Sequence, residues 1–396
     1  MTMKPSAIAL CLLACLVQAP SQSATTDSVA EYVAVVERAQ HPDRGGFDSL
    51  TLQQLMERAH VPGVSVAVIQ DFKVHWAKAY GVADVATGAK VDTETLFQAA
   101  SISKPVTAMA LLKAAQDGKF AIDDDINSIL RSWKLPGGKF VSGRAVTPRM
   151  LASHTSGLGD GFGFPGYDPA AVLPSLVQIL NGEQPSNVGA VLMERAPLQA
   201  TKYSGGGYVV LQLALMDAMQ RPFPDLMREQ VLNPLGMTNS TFEQPLAAAR
   251  DKNAARAHDG QGKAMGAKWH VYPELAAAGL WTTPTDLAKF AIELQRTLHA
   301  ESGRVLSTAS VRDMLSPVGV GDFGVGLVLL KRGEGWYFQH GGGNWGFNCL
   351  LFAHKVNGYG MVVMTNSGNA GVVMNDIKER IERAYGWDSL DKPVPR

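Results

Sequence analysis

The chain of 396 residues is poor in cysteine, in excess charge of either sign and in metal-binding patterns. Two of its three cysteines fall within the first 24 residues, so the rest of the chain holds only Cys349 and can form no internal disulfide. Lysine plus arginine and aspartate plus glutamate balance at 36 each, which argues against a nucleic-acid partner. The nine histidines form neither H-E-x-x-H nor a Cys/His spacing, so the sequence predicts no metal and no cofactor.

Two patterns of common enzyme classes are also missing. The G-x-S-x-G turn of α/β-hydrolases does not occur, and the nearest stretch, Gly63-Val64-Ser65-Val66-Ala67, lies inside a strand pattern. Residues 161–166 match a dinucleotide fingerprint by letters only, because they contain a proline and follow no strand. The sequence therefore disfavours both classes.

Residues 1–24 contain an apolar run at the start of the sequence. Lys4 precedes an apolar stretch over residues 7–17, and small residues follow at 21–24, which is typical of a signal peptide. The run is too short for a permanent membrane span. We expect a periplasmic or secreted protein with no transmembrane segment in its mature form. Because residues 12–15 also resemble a lipoprotein cleavage site, anchoring through Cys15 is the alternative.

Strand patterns lie near both ends of the chain, and helical patterns dominate the part between them. We expect strands over 64–69, 74–80, 324–330, 336–339, 347–352 and 359–365. We expect helices over 29–38, 49–60, 106–118, 207–220, 224–231, 284–299 and 371–385.

This order predicts an α+β fold in which one antiparallel sheet is built from both termini and flanked by helices. We expect a single catalytic domain over residues 25–396. Its sheet part covers about 48–100 and 300–396, and a mostly helical subdomain covers about 101–299.

The first candidate site is Ser101, which lies at the predicted start of a helix with Lys104 three residues later. A hydroxyl beside an amine, in the positive field of a helix N-terminus, suits an activated serine nucleophile. The alternative is a helix-capping serine with a solvated lysine. Ser389 and Lys392 repeat the S-x-x-K spacing in a polar tail with no helix after it.

Two glycine-rich segments favour the interpretation of Ser101 as a nucleophile. Tyr203 precedes Ser204-Gly205-Gly206-Gly207 at a helix start, where its phenol can relay a proton or merely pack. His340 precedes Gly341, Gly342 and Gly343 at a strand end. Such a run lets a backbone edge approach a ligand and supply an oxyanion N–H, or it forms an ordinary turn.

In this order and spacing, Ser101-Ile102-Ser103-Lys104, Tyr203-Ser204-Gly205 and His340-Gly341-Gly342 resemble the serine β-lactamase and penicillin-binding protein family. The likeness is to the branch that holds class C β-lactamases, D-Ala-D-Ala carboxypeptidases and related esterases. It covers about residues 48–385, including 153–158, 233–237, 277–284 and 361–366. It implies a β-lactamase/transpeptidase-like fold.

The resemblance also implies roles for these residues. Ser101 is the nucleophile that forms an acyl-enzyme, and Lys104 and Tyr203 share the acid–base work. The N–H groups of Ser101 and Gly343 form the oxyanion hole. His340, with Gly341 and Gly342, contacts the substrate.

The sequence departs from the family pattern twice. Gly205 stands where many β-lactamases have asparagine, and His340 stands where many have lysine. An unshifted histidine titrates near pH ~6.5, so we expect cationic help from His340 to an anionic substrate to fade from pH ~6 to ~8.

We therefore expect an exported serine hydrolase that acts on esters, amides or D-amino-acid peptides, with a small-molecule or cell-wall-derived peptide substrate. A class C-like β-lactamase and a non-hydrolytic penicillin-binding sensor are the alternatives. We expect the loop over residues 157–187, with Phe162, Phe164 and Tyr167, to line or cover the pocket.

Overall fold

The protein is described from a computed structural model, which covers residues 24–140, 144–159 and 163–390. The predicted signal sequence up to residue 23, Cys15, Phe162 and Lys392 lie outside these residues. In the covered ranges no helix combines the length and the apolar character that a membrane crossing requires.

The strands form a seven-stranded antiparallel sheet and a separate two-stranded pair, β4–β5. The order in the large sheet is β3-β2-β1-β9-β8-β7-β6. Strand β1, from the first part of the chain, pairs with β9, from the last part, and Val64 lies opposite Thr365. The predicted antiparallel α+β fold is confirmed. The strands are β1 (Gly63–Gln70), β2 (Lys73–Asp84), β3 (Ala89–Lys90), β4 (Phe97–Gln98), β5 (Trp281–Thr282), β6 (Val328–Arg332), β7 (Gly335–Asn344), β8 (Phe347–His354) and β9 (Gly360–Thr365).

Local capping sets several helix starts. Thr283 Oγ1 accepts a hydrogen bond from the Asp286 N–H and Pro284 follows it, so the long helix α12 begins there. The helices are α1 (Ala24–Glu37), α2 (Leu52–Arg58), α3 (Ser103–Gln116), α4 (Ile126–Ile129), α5 (Pro148–Ala152), α6 (Leu176–Asn181), α7 (Gly205–Met219), α8 (Phe223–Met227), α9 (Asn233–Leu235), α10 (Ala248–Asp251), α11 (Leu275–Ala278), α12 (Pro284–Leu298), α13 (Thr308–Met314) and α14 (Gly371–Tyr385).

Helices cover both faces of the large sheet. Along β1, Val66 and Val68 point toward a core shared with α1, α2 and α14, whereas Ala67 and Ile69 point toward the larger core shared with α3, α7 and α12. This alternation follows from the two-residue period of a strand. Because both faces are covered, β1 is buried along nearly its whole length.

Two expected strands have different bounds at their glycine residues. The strand expected over 324–330 begins only at Val328, because Gly326 turns the chain with φ +90°. Gly326 also packs closely on α3: a Cβ at this position would be 2.6 Å from the Ala108 methyl group. The strand expected over 336–339 continues through the glycines to Asn344. The alternative of an ordinary turn at the glycines is therefore wrong, and the turn lies later, at residues 345 and 346.

Candidate active site

Ser101 lies in a single 3₁₀ turn, Ala100–Ile102, which leads directly into α3. Ala100 has φ +48°, a left-handed conformation that costs a non-glycine residue roughly 1 kcal/mol. Hydrogen bonds hold this turn: Ser103 Oγ donates to the Ala100 carbonyl (2.6 Å) and accepts from the Leu280 N–H (3.0 Å). The Cys349 thiol donates to the Ala99 carbonyl (2.9 Å). A strained turn fixed in this way is common where a side chain must be presented to a ligand.

Lys104 is buried beside this serine. Its Nζ lies 3.0 Å from Ser101 Oγ and donates to the carbonyl of Ala277, at the end of α11, over 2.9 Å. The residue capping α3 is Ile102, with no side-chain hydrogen bond, and Lys104 is only 1% exposed. The alternative reading, a capping serine with a solvated lysine, is therefore wrong.

Tyr203 lies next to this lysine, with Lys104 Nζ 4.9 Å from its ring centroid. It directly precedes Ser204, which caps α7 by accepting a hydrogen bond from the Gly207 N–H over 2.9 Å. The sequence thus brings the phenol to the serine–lysine pair through a capped helix start.

His154 holds the chain on both sides of Tyr203. Its carbonyl accepts from the Lys202 N–H (2.8 Å), and its Nδ1 accepts from the Ser204 N–H (3.1 Å). Its ring packs on the Tyr203 ring with centroids 4.2 Å apart. The sequence reading missed this residue, although it lies in the segment 153–158 that resembles the family.

His340 is buried in β7, with its ring centroid 6.3 Å from that of Tyr203. Nδ1 lies 2.6 Å from the Gly341 carbonyl, so it carries the proton and donates. Nε2 is buried and has no partner within the described ranges. Burial and the nearby Lys104 charge lower the pKa of His340 to about 3. The same two causes, with His340, hold the pKa of His154 well below its usual range.

The expectation that His340 titrates between pH 6 and 8 is therefore wrong. Sequence alone cannot show how deeply a strand residue is buried, and burial is the main cause of the shift. His340 is neutral across that range, so its side chain presents a ring nitrogen rather than a positive charge.

The glycines that follow form an open strand edge. Strand β6 pairs with β7 only as far as Gln339, whereas β8 pairs with it through Asn344. Since hydrogen-bonding directions alternate along a strand, the N–H and C=O groups of Gly341 and Gly343 point to the side that β6 leaves unpaired. Gly342 faces the Ser101 turn: a Cβ there would be 2.4 Å from the Ala99 carbonyl and 2.5 Å from Cys349 Sγ.

The structure thus brings Ser101, Lys104, Tyr203, His340 and the glycine edge together. Part of the loop expected to cover the pocket also reaches the site, because Phe164 lies against the start of α7, 2.8 Å from where a Gly205 Cβ would be. Ser389, of the second S-x-x-K spacing, is buried far along the chain after α14. The residues that the structure describes hold no cluster of side chains suited to a metal ion.

The model of one protein family, Beta-lactamase, matches residues 50–385. The chain belongs to the β-lactamase family. Among curated relatives, Protein flp of Staphylococcus aureus (strain N315) is 22% identical over 330 residues, covering 78% of this chain and 61% of that protein. The chain thus spans less than two thirds of that relative's length.

Solved structures agree with this β-lactamase family fold. SurE superposes with a TM-score of 0.69 at 24% identity, over 93% of this chain and 79% of that one. The D-amino acid amidase from Ochrobactrum anthropi SV3, complexed with D-phenylalanine, gives a TM-score of 0.65 at 21% identity, over 91% and 99%. At these identities the two structures establish the fold alone.

Proposed function

We propose that this β-lactamase family protein is a serine hydrolase that forms an acyl-enzyme on Ser101 and acts on esters, amides or D-amino-acid peptides. The contact that carries the proposal is the 3.0 Å distance between Ser101 Oγ and the Nζ of the buried Lys104. A nucleophilic hydroxyl needs a proton acceptor within this range.

The proposed reaction has two halves. Ser101 Oγ bonds to the substrate carbonyl carbon while its proton passes to the Lys104–Tyr203 pair. The N–H groups of Ser101 and Gly343 stabilise the oxyanion. The pair then delivers the proton to the leaving amine or alcohol, whose bond to the carbonyl carbon breaks. In the second half water attacks the acyl carbon and gives a proton to the pair. The bond between Ser101 Oγ and the acyl carbon then breaks, and the pair returns a proton to Oγ as the acid leaves.

The neutral His340 bears on the substrate class. With a pKa of about 3 it provides no positive charge for a substrate carboxylate at neutral pH. This favours neutral esters and amides over carboxylate-bearing substrates such as penicillins. The D-amino acid amidase and the structure of SurE with D-Leu support a D-amino-acid acyl donor. Class C-like β-lactamase activity and stalled penicillin binding are the alternatives.

We also propose that residues 25–396 form one catalytic domain, exported after removal of residues 1–24. Mass spectrometry of the mature protein tests this: an N-terminus near Ala24 or Thr25 supports it. An intact Met1 or a diacylglyceryl mass on Cys15 contradicts it.

The test of the proposed activity is a substrate panel with purified protein: short-chain p-nitrophenyl esters, D-amino-acid amides and peptides, and nitrocefin. A fluorophosphonate probe should label the peptide that contains Ser101. Ser101→Ala should abolish turnover and labelling, whereas Ser389→Ala, the serine of the other S-x-x-K spacing, should leave both unchanged. Turnover retained by Ser101→Ala would falsify the proposal. A burst without turnover identifies the penicillin-binding alternative, and rapid nitrocefin hydrolysis identifies the β-lactamase.

A further inference from the structure

Glu274 is a fully buried residue whose two carboxyl oxygens have no hydrogen-bond partner in the described ranges. Burial raises the pKa of this carboxyl to about 8. An isolated polar group in the interior destabilises a fold, so each such group requires an explanation. A carboxyl perturbed by burial beside a candidate active site is a candidate functional residue.

The position of Glu274 ties it to the site. Three residues later, the Ala277 carbonyl accepts the hydrogen bond from Lys104 Nζ. Two residues earlier, the Tyr272 hydroxyl accepts a hydrogen bond from the Trp345 N–H (2.9 Å), in the turn that follows the glycine edge. Glu274 therefore lies on the segment that connects the lysine to the end of β7.

The backbone on both sides of Glu274 is fixed from α7. Gln212 Nε2 donates to the Pro273 carbonyl (3.1 Å), and Gln212 Oε1 accepts from the Ala276 N–H (3.0 Å). The main chain around the carboxyl is thus held at two points, while among the described residues the carboxyl has no partner other than its own backbone N–H. This arrangement keeps its hydrogen-bonding capacity available for a ligand.

Two tyrosines lie within range of the Glu274 charge. Burial raises the pKa of Tyr167 and of Tyr272, and the Glu274 charge adds to both shifts. Tyr167 belongs to the loop expected to cover the pocket. The preceding residue, Gly166, packs against Tyr272, since a Cβ added to Gly166 would be 2.6 Å from Tyr272 Cζ. Aromatic rings beside a carboxyl group form an environment that favours a cation.

Building on the acyl-transfer function proposed above, we propose that Glu274 is the specificity residue that recognises a positively charged amino group on the acyl donor. The carboxylate pairs with the ammonium group, and the rings of Tyr167 and Tyr272 enclose it. In the ligand-free protein at neutral pH the carboxyl mostly keeps its proton, since its pKa is about 8. Binding of an ammonium ion favours the carboxylate, so that proton is released to solvent on binding.

Calorimetry on the Ser101→Ala protein at pH 7 tests the proposal without turnover. The ligands are phenylalaninamide, each enantiomer separately, and 3-phenylpropanamide, which has the same skeleton without the amino group. The better enantiomer should bind at least about 10-fold more tightly than 3-phenylpropanamide, the usual scale for a hydrogen bond to a charged group. Adding Glu274→Gln should remove that preference and the proton release, measured in buffers of different ionisation enthalpy.

Glu57→Gln, at an exposed glutamate of α2 on the opposite face of the sheet, is the control and should change neither quantity. Equal weakening of both ligands by Glu274→Gln, or no preference for the amine in the parent protein, overturns the proposal. Hydrolysis of p-nitrophenyl propionate by the protein with Ser101 intact reports separately on the proposed function. Absence of that hydrolysis contradicts the acyl-transfer proposal, whereas loss of the amine preference alone contradicts only the role of Glu274.

Discussion

Replacing Gly342 by alanine tests whether the glycine edge must lie directly against the Ser101 turn. The added Cβ would be 2.4 Å from the Ala99 carbonyl oxygen, about 1 Å less than an ordinary contact. The added Cβ would also be 2.5 Å from Cys349 Sγ. Neither group can easily move away, because the Cys349 thiol donates a hydrogen bond to the Ala99 carbonyl. The strand or the turn must therefore shift by about 1 Å, which moves the Gly343 N–H relative to Ser101.

A displacement of this size at reacting groups can lower a rate by about 10²-fold. We therefore expect Gly342→Ala to slow fluorophosphonate labelling of Ser101 by about that factor. The overpacked contact should also lower the free energy of unfolding by about 1–3 kcal/mol. Gly341→Ala is the control for stability, since a Cβ there would have its nearest neighbour, the Cys349 carbonyl, 3.8 Å away.

Labelling by Gly342→Ala within twofold of the wild-type rate would show that the edge does not set the geometry at Ser101. A loss of stability in Gly341→Ala as large as in Gly342→Ala would show that the cost comes from glycine replacement itself rather than from the close contact.

Three further predictions concern the same site. Ser101→Ala and Lys104→Ala should each nearly abolish turnover, and the double variant should lose little more, since the effects of mutations within one catalytic unit are not additive. Additive losses would show that Ser101 and Lys104 do not act as one unit. His154→Phe keeps a ring against Tyr203 but loses the hydrogen bond to the next residue, so labelling should slow roughly 10-fold. Tyr203→Phe should slow labelling by about 10²-fold, and adding His154→Phe to Tyr203→Phe should slow it little further. If His154→Phe slows labelling equally with and without Tyr203→Phe, His154 does not act through the phenol. The pKa of His340 is about 3 in the fold and about 6.5 in the unfolded chain, so the unfolded chain binds more protons below pH 6.5. Stability should fall from pH 7 to 5, by up to about 1.4 kcal/mol per pH unit from this residue. In denaturant unfolding, the free energy of unfolding of His340→Asn should fall less from pH 7 to 5 than that of the wild type. An equal fall contradicts the lowered pKa of His340.

Patterns that depend on neighbouring residues predicted much of the fold. The helix expected over 371–385 has those bounds in the structure, and the serine turn leads into a helix as expected. The helix expected from 284 begins there because Thr283 and Pro284 are adjacent in sequence. The antiparallel sheet followed from where the strand patterns lie along the chain.

Contacts between distant parts of the chain could not be predicted. The Ala277 carbonyl that holds Lys104 carries no sequence signal, since any residue supplies a carbonyl. The ring of His154 reaches Ser204 only in the folded chain, and the pKa of His340 depends on burial by other elements. The glycine run of β7 was ambiguous between turn and edge, because glycine permits both.

The pairing of β1 with β9 has a consequence for when the candidate site can assemble during synthesis of the chain. Helix α3, which follows Ser101, emerges early, whereas β7 and β8, which carry the glycine edge and Cys349, emerge near the end. Strand β9, which joins β8 to β1, follows later still. A nascent or truncated chain that stops before β9 has the serine and the lysine, but it lacks the strand that joins β8 and β7 to the first part of the sheet. The completeness of the chain is therefore a built-in condition for assembling the site.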